Sequence, residues 1–242
     1  LPSTQNEAIA FAATVPMALR GKIEVASYAP SALPQASDDL LMRVEQLYAE
    51  DPQLHSLWTA AMEANNMADG VVAKQDPVSF GRLAASFLAK ADGPRIAMIE
   101  TGGWDTHTGQ EGRLTRQLKS LDTMVAAIRD GLGAAWQKTT IVVATEFGRT
   151  ATTNGTGGTD HGTGSAAMIL GGDVNGGRVV TDWPGLSTSN LYEGRDLEPT
   201  TNLNTLIASI TGAGFNIDPA RISRTLFPET NTSKAIEGLL RS

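Results

Sequence analysis

The chain has 242 residues, 41% of them hydrophobic and 19% charged, a globular rather than a disordered composition that suffices for one large domain or two small ones. Its 26 acidic and 19 basic side chains leave a net charge of -7, and no Lys/Arg-rich run interrupts that balance, which argues against a nucleic-acid partner. With no Cys, disulfides, thiolate metal sites and Cys nucleophiles are all excluded.

The first residue is Leu1 rather than Met, which points to a processed product or a fragment. Ala8–Leu19 imitates the apolar part of a signal peptide, but Glu7 precedes it, it has no basic flank, and it holds Pro16 and is too short to span a bilayer. It reads as buried strand and loop. Residues 1–36 read as short extended pieces, Ile9–Ala13 and Ile23–Ser27, punctuated by Pro16, Gly21, Pro30 and Pro34. Ser37-Asp38-Asp39 predicts a helix start, and Leu40, Leu41, Val44, Leu47 and Tyr48 follow at helical spacing. Asp51-Pro52 opens a second helix to about Ala68, carrying His55, which reads as a packing or surface residue. Asp76-Pro77 opens a third through Leu88 to Gly93-Pro94. Residues 1–94 are thus expected to be extended segments plus a helical layer.

Arg95–Glu100 predicts a strand that ends in a Gly-rich loop, Thr101–His107. Leu114, Leu118, Leu121, Val125, Ile128 and Leu132 alternate steps of four and three, the apolar face of a long helix. That helix leads to a second strand, Ile141–Thr145, and after a Gly/Thr/Asn loop to a third, Ala166–Leu170. Strand, helix, strand predicts a βαβ unit with the first two strands parallel, and all three are expected as buried strands of one sheet. Further on, Arg178–Thr181 reads as a short strand, Trp183–Pro199 as a polar loop, Asn202–Thr211 as a helix ended by Gly212, Pro219 as the start of another, and Ser233–Leu240 as a last one. Residues 95–242 are expected to form the α/β core, with one compact domain overall.

Ligands gather beyond the carboxyl ends of strands in such sheets. Two loops would meet there, one offering Asp105 and His107, the other Glu146, Arg149, Asp160 and His161. Asp and neutral His ligate Zn²⁺, and an oxygen-rich set also suits Mn²⁺, Mg²⁺ or Ca²⁺. The plainer alternatives are an Asx-turn with a surface His at Asp105/His107, a Glu146–Arg149 ion pair, and a capped loop at Asp160/His161. The expectation is that Asp105, His107 and His161 converge with Glu146 or Asp160 beside them, because their loops leave neighbouring parallel strands about 5 Å apart. No G-x-S-x-G elbow, P-loop, H-E-x-x-H or dinucleotide fingerprint is present.

The strings GGWDTH (Gly102–His107), TEFGRT (Thr145–Thr150) and GTDHG (Gly158–Gly162) resemble a bacterial domain-of-unknown-function family, number fifteen hundred and one. The resemblance covers roughly residues 5–240. It implies a protein exported to the periplasm, typically by a twin-arginine signal that this chain does not carry, within the alkaline phosphatase and sulfatase superfamily. The implied fold is α/β, an alkaline phosphatase-like, mainly parallel sheet flanked by helices and lacking its N-terminal strands, as in the C-terminal part of a longer protein. The implied function is a metal-dependent hydrolase domain acting on phosphate or sulfate esters. On this resemblance Asp105, His107 and His161 hold a divalent metal, Asp160 and Glu146 ligate it or orient the ligands, and Arg149 holds the anionic group. Two features depart from the superfamily. Glu146-Phe147 stands where an Asp-His pair binds a second metal, and the strand-borne Asp and the Ser or Thr nucleophile have no counterpart. Those departures keep a second reading open, a non-catalytic envelope-associated binding protein that retains the fold. The partner is accordingly a small anionic ester or a cell-envelope ligand, without nucleic acid and without a membrane span.

Overall fold

The structure is a computed structural model and describes residues 7–12, 14–21, 25–29, 36–67, 76–229 and 235–241. Among these residues the chain is mixed α/β, with six α-helices and seven short strands. It divides into two compact units, Leu1–Trp104 with Thr115–Gly133, and Asp105–Leu114 with Ala134–Ser242. No helix among the described residues is long and apolar enough to cross a membrane.

The first unit is built on a parallel sheet in the order β2-β1-β3, from β1 (Ala8–Phe11), β2 (Ala26–Ser27) and β3 (Ile96–Ile99). β1 is central, and its Ile9, Ala10 and Phe11 are buried. Helix α3 (Pro77–Leu88) starts where Asp76 accepts hydrogen bonds from the backbone N–H of Val78 and Ser79, with Pro77 at its first position. Its Leu83 and Phe87 are fully buried, and the Phe87 ring stands edge-on to Phe11 at 5.4 Å. Burial of each contributes about 1.5–3 kcal/mol. Helix α4 (Gln110–Leu132) brings Met124, Ala127 and Ile128 to this core. α3 and α4 approach closely at Gly81, where an added Cβ would lie 2.5 Å from the Met124 carbonyl oxygen and 2.8 Å from the Ala127 Cβ. Helices α1 (Asp38–Tyr48) and α2 (Pro52–Met67) pack on each other through Tyr48 and Trp58, with ring centroids 5.9 Å apart. Of the apolar stripe predicted on α1, Leu40 and Leu47 are exposed, while Leu41, Val44 and Tyr48 are half-buried.

In the second unit β4 (Thr140–Val143) pairs antiparallel with β7 (Met168–Gly171), and the two-residue strands β5 (Gly148–Arg149) and β6 (His161–Gly162) pair antiparallel with each other. Helices α5 (Leu203–Phe215) and α6 (Pro219–Leu226) pack together. Leu206, Ile210 and Leu239 form a small core with Ile169 and Ile236 against it.

The βαβ expectation is not met. β3 completes the parallel sheet of the first unit, whereas β4 pairs with β7, so the predicted strands do not share one sheet and the sheets are not mainly parallel overall. The periodicity of α4 fixes which of its faces is apolar, but nothing local specifies which distant strand pairs with β3, and β1 does so. These strands are also only half-covered, with Ile96, Val142 and Met168 exposed. Arg178–Thr181 has no strand, and Ala235–Leu240 is not helical. α5 runs through Gly212 to Phe215, because Asn216 takes the left-handed conformation (φ 54°) that ends a helix. The α1 and α3 starts fall as predicted. Ala13, Ile23, Pro30, Pro34, Ala68 and Ser233, invoked as strand, breaker or helix-end positions, lie outside the described residues.

Gly81→Ala sets two effects against each other. Alanine favours a helix by about 1 kcal/mol, whereas overpacking a tight contact costs about 1–3 kcal/mol. The Cβ would press on backbone, so overpacking wins, and Tm is expected to fall by about 2–4 °C for each kcal/mol of net loss. A thermal melt in which Gly81→Ala is more stable than the wild type would contradict this packing.

Candidate metal centre

Five of the six predicted site residues come together within the second unit. Asp105 Oδ1 lies 2.9 Å from His107 Nε2, 2.8 Å from His161 Nε2 and 3.4 Å from an Arg149 guanidinium nitrogen. His107 Nδ1, on the other edge of its ring, lies 3.0 Å from Asp160 Oδ1. One ligand atom each from Asp105, His107 and His161 fit within 4.8 Å of one another, so the three can hold a metal ion. The two imidazoles stack at 4.9 Å, and Phe147 stacks on His161 at 4.1 Å, with the Arg149 guanidinium 4.9 Å from the Phe147 ring. Asp105, His107 and His161 are about half exposed, whereas Arg149 is mostly covered.

The convergence has a different cause from the one expected. It comes from hydrogen bonds that lace residues 105–110 to residues 154–159. Gly109 and Gln110 donate their backbone N–H to the carbonyls of Thr156 and Gly157. Asn154 Nδ2 donates to the His107 carbonyl at 2.9 Å and to Asp160 Oδ1 at 3.1 Å, while its Oδ1 accepts from the N–H groups of Thr156 and Gly158. The buried Thr106 and Thr159 both donate hydroxyls to Gln110 Oε1, at 2.9 and 2.8 Å. Arg149 donates to the Thr159 carbonyl at 2.9 Å, and the β5–β6 pair sets Arg149 opposite His161. Gly158 lies against the His107 carbonyl group so closely that a Cβ has no room.

Electrostatics favour charged carboxylates. The hydrogen bond from His161 holds the Asp105 carboxyl below the usual range, with Coulombic attraction from His107, His161 and Arg149 adding to it. Asp160 is held low chiefly by the hydrogen bond from Asn154, then by that from His107.

The hydrogen-bond inventory of His107 fits a cation. Both ring nitrogens face carboxylate oxygens, which only accept, and a neutral imidazole carries one N–H. A metal among Asp105 Oδ1, His107 Nε2 and His161 Nε2 resolves this, because Nε2 then offers its lone pair to the metal and Nδ1–H donates to Asp160. A carboxylate behind a metal-bound His is the usual orienting arrangement. With an ion held there, Asp160 would steady the His107 ligand from behind.

Glu146 is exposed, and no hydrogen bond or ion pair among the described residues joins it to the cluster. His55 is exposed on α2. Sequence reasoning missed Asn154, Gln110 and the two buried Thr. The available signal was the Asn six residues before Asp160 in a Gly/Thr loop, a residue type whose side chain caps its own backbone. Phe147, read as a gap where a ligand is missing, instead covers one face of His161.

Gly158→Ala must push the 154–159 loop off His107 and is expected to weaken divalent-metal affinity by about tenfold or more while leaving the helical circular dichroism unchanged, the scale at which residues behind ligands act. Unaltered affinity in a calorimetric titration would show that this lacing does not position the ligands.

No curated protein and no solved structure matches the chain. The family whose description reads protein of unknown function (DUF1501) matches residues 27–226, and the chain belongs to that family.

Proposed function

We propose that the chain binds one divalent cation through Asp105, His107 and His161 and serves a hydrolase of phosphate or sulfate esters. The observation that carries the metal reading is the meeting of one carboxylate oxygen and two imidazole nitrogens within 4.8 Å. Two imidazoles with one carboxylate suit Zn²⁺, or Mn²⁺ less well, whereas Ca²⁺ and Mg²⁺ prefer all-oxygen shells. Three protein ligands leave a coordination position open, the pattern of catalytic rather than structural sites. A bound divalent ion there would supply Lewis-acid polarisation of an ester oxygen. Arg149, beside the Asp105 carboxylate and tied to Thr159, presents a guanidinium to the anionic group. Asp160 and Asn154 fix the His107 ring. The phosphatase/sulfatase assignment and an envelope location rest on the resemblance of the three motifs, and fractionation of cells that carry the native gene tests the location.

The rival reading, a non-catalytic binding protein, has an observation of its own. Among the described residues, the hydroxyls of Thr106, Thr150, Thr156 and Thr159 all donate within the loops, and no hydrogen bond or ion pair joins Glu146 to the cluster. The chain is therefore expected to bind metal with little or no ester turnover of its own.

Calorimetric titration with Zn²⁺ is expected to give one site per chain. His161→Ala should lower affinity by more than about 100-fold, Asp160→Asn by about 10-fold, and Glu146→Gln and His55→Ala should leave it unchanged. Equal affinity in His161→Ala and the wild type would overturn the metal assignment. Affinity should also fall on acidification, since protons compete with the metal for the imidazole lone pairs. Chelator-sensitive turnover of p-nitrophenyl phosphate or sulfate by this chain would contradict the non-catalytic expectation.

A further inference from the structure

The first unit carries a cavity of about 400 Å³ at the carboxyl ends of its parallel strands. Its position follows from the strand order. From β1 the chain passes to β2 on one side, then through α1, α2 and α3 to β3 on the other side of β1. Connections that leave in opposite directions open a crevice beyond the strand ends, the place where open parallel sheets take ligands. Phe11 at the end of β1, and Glu100 and Thr101 after β3, line it, with Phe80 from α3, Met124 from α4 and Trp104. The volume is that of a small-molecule site.

The lining chemistry selects the ligand. The walls are apolar and aromatic, and the charged groups are carboxylates, with no Lys, Arg or His among the described lining residues. The start of α3, which would otherwise attract a phosphate, is occupied by Asp76, whose carboxylate accepts from Val78, Ser79 and the Ser79 hydroxyl. An anion is therefore disfavoured. Glu100 is exposed, and no hydrogen bond or ion pair among the described residues engages its carboxylate. The Trp104 indole N–H donates to Thr101 Oγ1 at 2.9 Å, which sets the orientation of the ring in the lining. We infer that this crevice binds a small organic cation, an amine with an aromatic or alkyl body, whose ammonium group meets Glu100 and whose body lies against Trp104 and Phe80. Carboxylate pairing and the aromatic faces both favour a cation. This site uses no residue of the metal centre, and its ligand is opposite in charge to the anionic ester proposed there.

Isothermal titration with 2-phenylethylamine and with 3-phenylpropanoate, which share one body and differ in the sign of the head group, tests the inference. EDTA is present throughout, so the outcome is independent of metal binding. The amine is expected to bind saturably, and 3-phenylpropanoate at least about tenfold more weakly. Glu100→Gln should weaken the amine about fivefold, and Trp104→Ala should weaken it further, with unchanged circular dichroism in both. Glu100 is at the surface, so Glu100→Gln keeps the fold and remains decisive should Trp104→Ala unfold. Equal binding of the two probes, no saturable response to the amine, or unchanged amine affinity in Glu100→Gln would each overturn the proposal.

Discussion

His107 is held by its two ring nitrogens between two carboxylates, a clamp set by the hydrogen bonds that lace residues 105–110 to residues 154–159. Asp105 stands on one edge at 2.9 Å and Asp160 on the other at 3.0 Å, and Asn154 ties Asp160 to the backbone of His107 itself. The two segments are far apart in sequence and are not brought together by strand pairing. Side-chain amides, threonine hydroxyls and backbone N–H groups do it instead, each satisfying a donor or acceptor that would otherwise compete for water. Gly158 allows the closest approach, and Phe147 covers one face of His161.

The half exposure of Asp105, His107 and His161 bears on the chemistry. In an open setting a carboxylate pulled toward its charged form by hydrogen bonds is held by specific partners rather than by a low dielectric, and the surrounding water weakens each pairing. A divalent cation placed there would meet both imidazole lone pairs and the carboxylate at once.

Local signals in the sequence carried the helices and much of the site. Ser37 and Asp76 announce the starts of α1 and α3 because a short polar side chain accepts from the first free N–H groups, and the structure places them so. Asp105, His107, Asp160 and His161 stand out in the sequence because two Gly-rich loops each set a carboxylate beside an imidazole, and the structure brings the four side chains together. Sheet membership was not legible. β3 pairs with β1, more than eighty residues earlier, and no periodicity near Arg95–Glu100 encodes that choice. The convergence was anticipated for a reason the sheets contradict, and Asn154 and Gln110 stayed hidden because their partners lie on another loop. The apolar stripe of α1 shows the limit of periodicity, since it marks a face without naming what covers it. The crevice between β1 and β3 was invisible for the same reason, as it depends wholly on strand order.

X-ray absorption at the zinc edge of the Zn²⁺-loaded protein tests the central claim most directly, because it reads ligand type and number at the metal. The account predicts a shell of nitrogen and oxygen at about 2.0–2.2 Å with outer-shell scattering from two imidazoles, reduced to one imidazole in His161→Ala. An all-oxygen shell, or a wild-type spectrum without two imidazoles, would contradict it.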